Sequence, residues 1–322
     1  MTLGREPEAH VLDFLQDHVA EKGAVEYLLE LANCPEALDR RSRMQAAAPL
    51  FVPPGHYYSP VVDPAALRAS GHGLKLSNAI AGVQIDWDPM QALFERLAEQ
   101  NAGLEFPQRQ HPAARYYADN DMFCLGDAFI LACMVRHLRP RRYVEVGSGF
   151  SSAVVLDTLD RTPDLATACT FIEPYTERLE SLLRPADQAR TTIIRCDVQN
   201  VPLDVFRQLG RDDILFLDTT HVSKTGSDVN HELFEILPVL ASGVVVHFHD
   251  IFLGFEYPDQ WVFDENRSWN EAYLLRAFLM YNDVFEIMYA NNAFGRARPK
   301  QLERVCSGAS QSPGSGFWLR KR

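Results

Sequence analysis

Two apolar runs end in titratable side chains. ILFLDTTH (214–221) places Asp218 directly after four apolar residues and His221 three positions on, and GVVVHFHDIF (243–252) closes its apolar stretch with His249 and Asp250. Groups of these types support two kinds of chemistry. A neutral imidazole takes a proton from a hydroxyl near neutral pH, whereas carboxylates with an imidazole hold a divalent cation that lowers the hydroxyl's own pKa. The candidate bases are therefore His221 and His249. Magnesium prefers oxygen and His249 is a softer donor, so both routes stay open. His247 alternates with Phe248 and is expected to point back into the sheet as a satisfied core histidine.

Such ends meet only if the runs are neighbouring strands. Short β-branched runs at 141–147, 168–173, 191–196, 213–218, 243–249 and 285–290 alternate with helical stretches beginning near Ser151, Tyr175, Pro202, Ser227 and Ser268. This alternation predicts an α/β fold with a Rossmann-like, doubly wound, mostly parallel sheet, in which adjacent strand ends lie ~5 Å apart. The closing GSGFWLRKR is read as an added antiparallel strand. Residues 1–105 read as a mainly helical N-terminal cap, with helical period at 8–32 and 88–103, and 106–322 as the main domain. Tyr57, Tyr58 and Tyr117 are candidates for a wall over the acceptor pocket, with ordinary packing as the competing reading.

In an open α/β sheet the ligand sits beyond the carboxyl ends of the strands. The first such end is VEVGSGFSS, where Gly147, Ser148 and Gly149 form a tight turn into a helix whose free N–H groups face a ligand, with Ser152 in its first turn. Glu145 lies inside the strand end, where a carboxylate is costly unless partnered. Glu173 closes the second strand at the spacing of an acid that accepts ribose hydroxyls. Asp197 closes the third, placed with the Val198 N–H to meet an adenine. A structural turn does not need acids at three successive strand ends.

These residues resemble the class I S-adenosylmethionine-dependent methyltransferases over about residues 115–300. Glu145-x-Gly147-x-Gly149 is similar to their motif I, Glu173 to the ribose-binding acid, Asp197 to the adenine-side acid and Asp218 to the acid of motif IV. The third glycine of the extended motif is replaced by Ser151 or Ser152. The resemblance implies S-adenosylmethionine held by Glu145, Gly147, Ser148, Gly149, Ser152, Glu173, Asp197, Val198 and Asp218. The acceptor rim resembles the catechol-type and macrolide-sugar O-methyltransferases, which bind magnesium with the fourth-strand Asp and two polar residues ending the fifth strand. Those positions fall on Asp218, His249 and Asp250, and the catechol-type lysine base falls on His221. The implied activity is methylation of a hydroxyl on a small molecule, a sugar or other secondary metabolite, with a His base or Mg2+. Two competing readings are an NAD-type oxidoreductase and a non-catalytic adenosylmethionine-fold binding protein. Against the first, no Tyr-x-x-x-Lys pair occurs.

Bulk properties narrow the partners. With 322 residues, 47% hydrophobic and 23% charged, the chain has the composition of an ordinary globular protein. A formal charge of -12 disfavours a nucleic-acid partner. The six scattered cysteines, an acidic N-terminus unlike a secretory signal and the lack of any run of membrane-spanning length point to a cytoplasmic protein with no membrane partner. A small-molecule acceptor is the expected partner, and the sequence leaves homo-oligomerisation open.

Overall fold

The computed structural model describes residues 51–71, 80–101 and 103–322, and the chain divides into two compact units, Met1–Asp63 and Pro64–Arg322. The helical stretch expected at 8–32 lies outside the described residues. In the smaller unit, residues 51–63 form irregular turns, as their Pro and Tyr content suggests, with Gly55 N–H donating to the Val61 carbonyl at 2.9 Å.

The larger unit is built on a seven-stranded sheet in the order β3-β2-β1-β4-β5-β7-β6. Its strands are β1 (Arg142–Val146), β2 (Ala168–Ile172), β3 (Thr191–Ile194), β4 (Ile214–Leu217), β5 (Val245–Phe248), β6 (Phe285–Ala290) and β7 (Phe317–Lys321). The first five run parallel, and every residue of β4 and β5 is buried. Their unbroken apolar sequences are what a strand covered on both faces requires. β7 is antiparallel to both β5 and β6, as the closing sequence suggests, and pairs Phe317 with Phe248 and with Ala290. Because β7 runs the other way, its N-terminal approach, residues 312–316, arrives beside the carboxyl end of β5.

Four helices matter to the site. They are α1 (Trp87–Gln100), α2 (Leu125–Leu138), α3 (Phe150–Asp160) and α4 (Glu271–Met280). α2 and α3 are apolar on nearly all sides and buried through most of their length, as expected for helices inside a layered core. α1 is amphipathic: the Asp86 side chain accepts from the Asp88 N–H, and Met90, Leu93, Phe94 and Leu97 face inward. The sequence reading groups this helix with the N-terminal cap. In the structure Phe94 stacks 4.4 Å from Phe294 and packs on Tyr289 of β6, so α1 is part of the larger unit. Helical period reveals a buried face but not what buries it.

A buried cation anchors the loop that enters α2. Arg115 Nη1 donates to Asp157 and Asp160, both at 2.7 Å, and Nε and Nη2 donate to Asp187 at 3.0 and 2.5 Å. The Arg115 and Tyr116 N–H groups also donate to Asp157 Oδ2, and the Tyr116 hydroxyl donates to the Phe123 carbonyl at 2.9 Å. These bonds tie the loop to α3 and to the turn before β3, and they set Phe123 where the site needs it. Replacing Arg115 with Ala leaves Asp157 and Asp187 buried without their cation, a loss of about 3–5 kcal/mol. Urea unfolding of Arg115→Ala is expected to show that loss, and a change below about 1 kcal/mol would contradict the anchoring role.

Candidate active site

The turn after β1 shows why glycine is required there. Gly147 has φ +82°, and a Cβ would fall on the carbonyl oxygen of Asp218, so the β1 turn and the end of β4 touch through bare backbone. Below the turn, buried Glu145 accepts a short hydrogen bond from the Ser151 hydroxyl, and the Ser152 hydroxyl accepts from the Gly149 N–H at 3.1 Å. Among the described residues the buried Ser148 hydroxyl has no partner. Glu173, at the end of β2, accepts from the Ser148 N–H at 3.2 Å and from the Tyr175 N–H at 2.8 Å, which holds its carboxylate beside the turn.

The turn opens into a cavity of about 720 Å³ that also receives Asp218, His221, His249 and Asp250. It thus brings Gly147, Ser148, Gly149 and Glu173 together with all four groups of the acceptor rim. Glu145 and Ser152 support the turn from beneath and do not line the cavity. Asp197 is exposed at the start of the short helical turn Val198–Asn200 and Val198 is buried, so the two expected adenine contacts also lie outside the lining. Tyr117 packs edge-on against Phe150 and not into the cavity, while Tyr57 and Tyr58 belong to the smaller unit.

His221 is held from two sides. Its Nδ1 shares a hydrogen bond with Glu271 Oε2 at 2.8 Å, and its carbonyl accepts from the Asn270 and Glu271 N–H groups at the start of α4. Its backbone has φ +58°, a costly conformation for a residue with a Cβ, and these bonds maintain it. The other ring nitrogen, Nε2, then sits 3.4 Å from Asp218 Oδ1 and 3.5 Å from Asp250 Oδ2. Burial opposes charge on this ring, but Asp218, Glu271 and Asp250 outweigh it and raise its pKa well above the usual value.

His249 stacks on Phe123 at 5.1 Å, and its Nε2 lies 3.7 Å from Asp250 and 3.9 Å from Asp127. Burial again opposes protonation, and Asp218, Asp250 and Asp127 raise the pKa. Its Nδ1 meets His247 Nε2 at 3.3 Å. His247 is in the core as expected, stacked on Phe216 at 4.0 Å, and burial together with the charge of His249 lowers its pKa well below the usual value. It is not fully satisfied, because its Nδ1 has no partner.

The expected metal set shares a rim without forming a ligand set. The His221 imidazole lies between Asp218 and Asp250, and among the described residues no three His, Cys, Asp or Glu side chains converge on one metal position. As they stand, Asp218, His249 and Asp250 do not fit a magnesium ion.

Residues 144–251 match the family model described as a methyltransferase domain. Over that segment the chain is similar to a methyltransferase domain. The matched segment runs from β1 through the end of β5, and so contains the glycine turn and the four rim groups. An uncharacterized protein of Archaeoglobus fulgidus is 27% identical over 170 residues, covering 49% of this chain and 73% of its own. Among solved structures, one titled as the CmcI-N160 apo-structure is 18% identical with a TM-score of 0.41, covering 83% of this chain and 98% of its own. The O-methyltransferase TomG from Streptomyces achromogenes, in complex with SAM, is 15% identical with a TM-score of 0.39, covering 74% and 91%. The similarity rests on the family match and the fold, not on these distant likenesses.

Several residues of the site carry no sequence motif. Asp127 is buried in α2 and accepts from the Ser315 and Gly316 N–H groups and from Asn291 Nδ2 at 2.7–3.0 Å. A carboxylate inside the apolar run LGDAFILACMV is the signal that could have revealed it. Glu271 sits in a stretch, WNEAYLL, that reads as an ordinary core helix. Arg178, Phe252, Trp261, Arg267 and Trp269 line the cavity from segments between the strands.

Burial pushes the Glu145 carboxyl up to about 8 from its ordinary 4.5. The folded protein therefore keeps this proton at pH values where the unfolded chain has lost it. The associated stability is fully present below about pH 4.5 and is lost as pH rises through about 8. Glu145→Gln should gain stability relative to the parent by on the order of 1 kcal/mol per pH unit across that window. A difference in urea midpoints that stays flat across the window would show that Glu145 is ionised in the fold.

Proposed function

We propose that the protein is an S-adenosylmethionine-dependent O-methyltransferase acting on a hydroxyl of a small molecule, with His221 as the general base. The observation that carries this reading is His221 itself: Glu271 fixes its Nδ1, and its Nε2 faces the cavity that the glycine turn opens into. A base oriented by a buried carboxylate is the arrangement that proton abstraction requires.

The Ser148 hydroxyl, which lines the cavity and has no partner among the described residues, fits a polar ligand at the turn, and the Glu173 carboxylate fits a ribose. S-adenosylmethionine supplies an electrophilic methyl on a cationic sulfonium, which suits a rim carrying Asp218 and Asp250. Asp218 is ready to face a cation. Burial works against its charge, but His249, His221 and Arg178 hold its carboxyl below the usual range. The carboxylates around His221 favour its protonated form, and a cationic sulfonium beside Asp218 and Asp250 opposes that charge. The imidazole, neutral once the cofactor is bound, takes the acceptor proton at Nε2 while Glu271 orients Nδ1, and Phe123 and Trp269, packed on His249 and His221, keep water from the reacting hydroxyl. No step is assigned to a metal, because among the described residues no side chains converge as a site for one. A sugar or secondary-metabolite hydroxyl is the acceptor class that the family resemblance suggests.

Methyl transfer from labelled S-adenosylmethionine to a panel of hydroxylated small molecules tests the proposal. Transfer is expected, and it should persist when EDTA replaces added Mg2+. His221→Ala should lower kcat by about 10²–10⁴-fold while S-adenosylhomocysteine affinity is unchanged. Full activity in that variant would remove His221 from the chemistry, and loss of activity in EDTA would restore the metal.

A further inference from the structure

Residues 252–270 cross the acceptor side of the cavity between β5 and α4 and contain a wide helical turn at Gln260–Asp264, a feature often found at functional sites. The rings of Trp261 and Trp269 meet edge to face at 5.2 Å. The Arg267 guanidinium lies over both, 4.2 Å from the Trp261 centroid and 4.7 Å from that of Trp269. Its Nε and Nη2 converge on Glu265 Oε2 at 2.6 and 2.5 Å, Glu265 is held in turn by Gln260, and the Arg267 N–H donates to the Trp261 carbonyl at 2.8 Å. The guanidinium is held against two indole rings and by one edge. Its other edge, Nη1 and the outer N–H of Nη2, has no acceptor among the described residues.

The surroundings give that open edge a meaning. The cavity wall is acidic, with Asp121, Asp127, Glu173, Asp218 and Asp250, and its arginines are Arg178, beside Gly149, and Arg267. Among the described residues, and apart from the imidazoles of His221 and His249 that the rim carboxylates already engage, an oxyanion finds no other cationic side chain on the acceptor side. Trp269 touches both Arg267 and the proposed base, its ring centroid being 4.4 Å from that of His221, so base and guanidinium stand about one indole apart. The space over the two indoles is filled by Arg267, which disfavours an acceptor carrying a quaternary ammonium group.

Resting on the methyltransferase reading above, we infer that Arg267 is a specificity residue whose free edge receives an oxyanion, carboxylate or phosphate, on a planar acceptor whose hydroxyl lies at His221. A stacked, pre-oriented guanidinium loses little freedom in making two parallel N–H···O bonds, and lysine cannot reproduce that fork.

The test uses the full chain saturated with S-adenosylhomocysteine and reads tryptophan fluorescence and calorimetric heat. The probes are 3,4-dihydroxybenzoate, its methyl ester and phenyl phosphate. The acid is expected to bind at least about tenfold more tightly than the ester, as charge-assisted hydrogen bonds imply. Arg267→Gln should abolish the difference and Arg267→Lys should keep part of it, both with S-adenosylhomocysteine affinity unchanged as evidence of an intact fold. Comparing the acid with phenyl phosphate identifies which oxyanion the site prefers. The absence of any preference for an anionic probe over the ester, including failure of all of them to bind, overturns the inference, as does a preference that survives in Arg267→Gln. If the parent protein does not bind S-adenosylhomocysteine, the methyltransferase reading fails. The probe series without it then decides the anion site separately.

Discussion

Charge balance at the carboxyl ends of β4 and β5 is the constraint on which the site depends. Asp127, Asp218, Asp250 and Glu271 crowd a largely dry rim, with Glu232 buried behind Thr219, against two imidazoles. That many carboxylates cannot all be ionised beside only two cations at low dielectric. The chain balances them with protons: burial raises the pKa of Asp127, Glu271 and Glu232, while the surrounding acids raise those of His221 and His249. A site in this condition favours a cationic ligand over an anionic one, which is why a phosphate cradle is the poorer reading of the glycine turn. It also makes a fixed guanidinium such as Arg267 the means by which an acidic acceptor enters at all.

The fold places these groups by three independent devices. Parallel pairing of β1, β4 and β5 sets the glycine turn, Asp218 and His249 side by side, and the close approach of Gly147 to the Asp218 carbonyl fixes their spacing. Antiparallel β7 delivers the 312–316 segment, where Gly314, at φ +87°, leaves no room for a Cβ against the Asp127 carboxylate and Ser315 donates to Asp250 at 2.7 Å. The first turn of α4 grips both the ring and the carbonyl of His221. His221 and Asp250 both sit at positive φ, so two of the residues that face the reacting space carry backbone strain.

Much of this was legible beforehand. Each apolar run became a strand, because burial on both faces leaves a continuous hydrophobic signature, and the residues directly after the runs reached the cavity because sheet geometry puts strand ends there. What stayed hidden depended on distance in the sequence. Glu271 is 50 residues from His221, and Asp127 meets a loop more than 180 residues away, so neither pairing leaves a local pattern. Reading Asp218, His249 and Asp250 as a metal set followed their order along the chain. That order says nothing about the His221 ring, which its contacts with α4 turn into the space between the two carboxylates. Asp197 matches its motif, but its side chain ends up exposed beyond the cavity wall.

The measurement that bears most directly on the account is calorimetric titration of the protein with S-adenosylhomocysteine, repeated with Glu173→Ala. Micromolar binding by the parent, weakened about tenfold or more in the variant, is the predicted result, because Glu173 is the half-buried carboxylate held beside the turn. A folded parent protein that takes up no S-adenosylhomocysteine, or a variant that binds it equally well, would contradict the placement of the cofactor at the glycine turn.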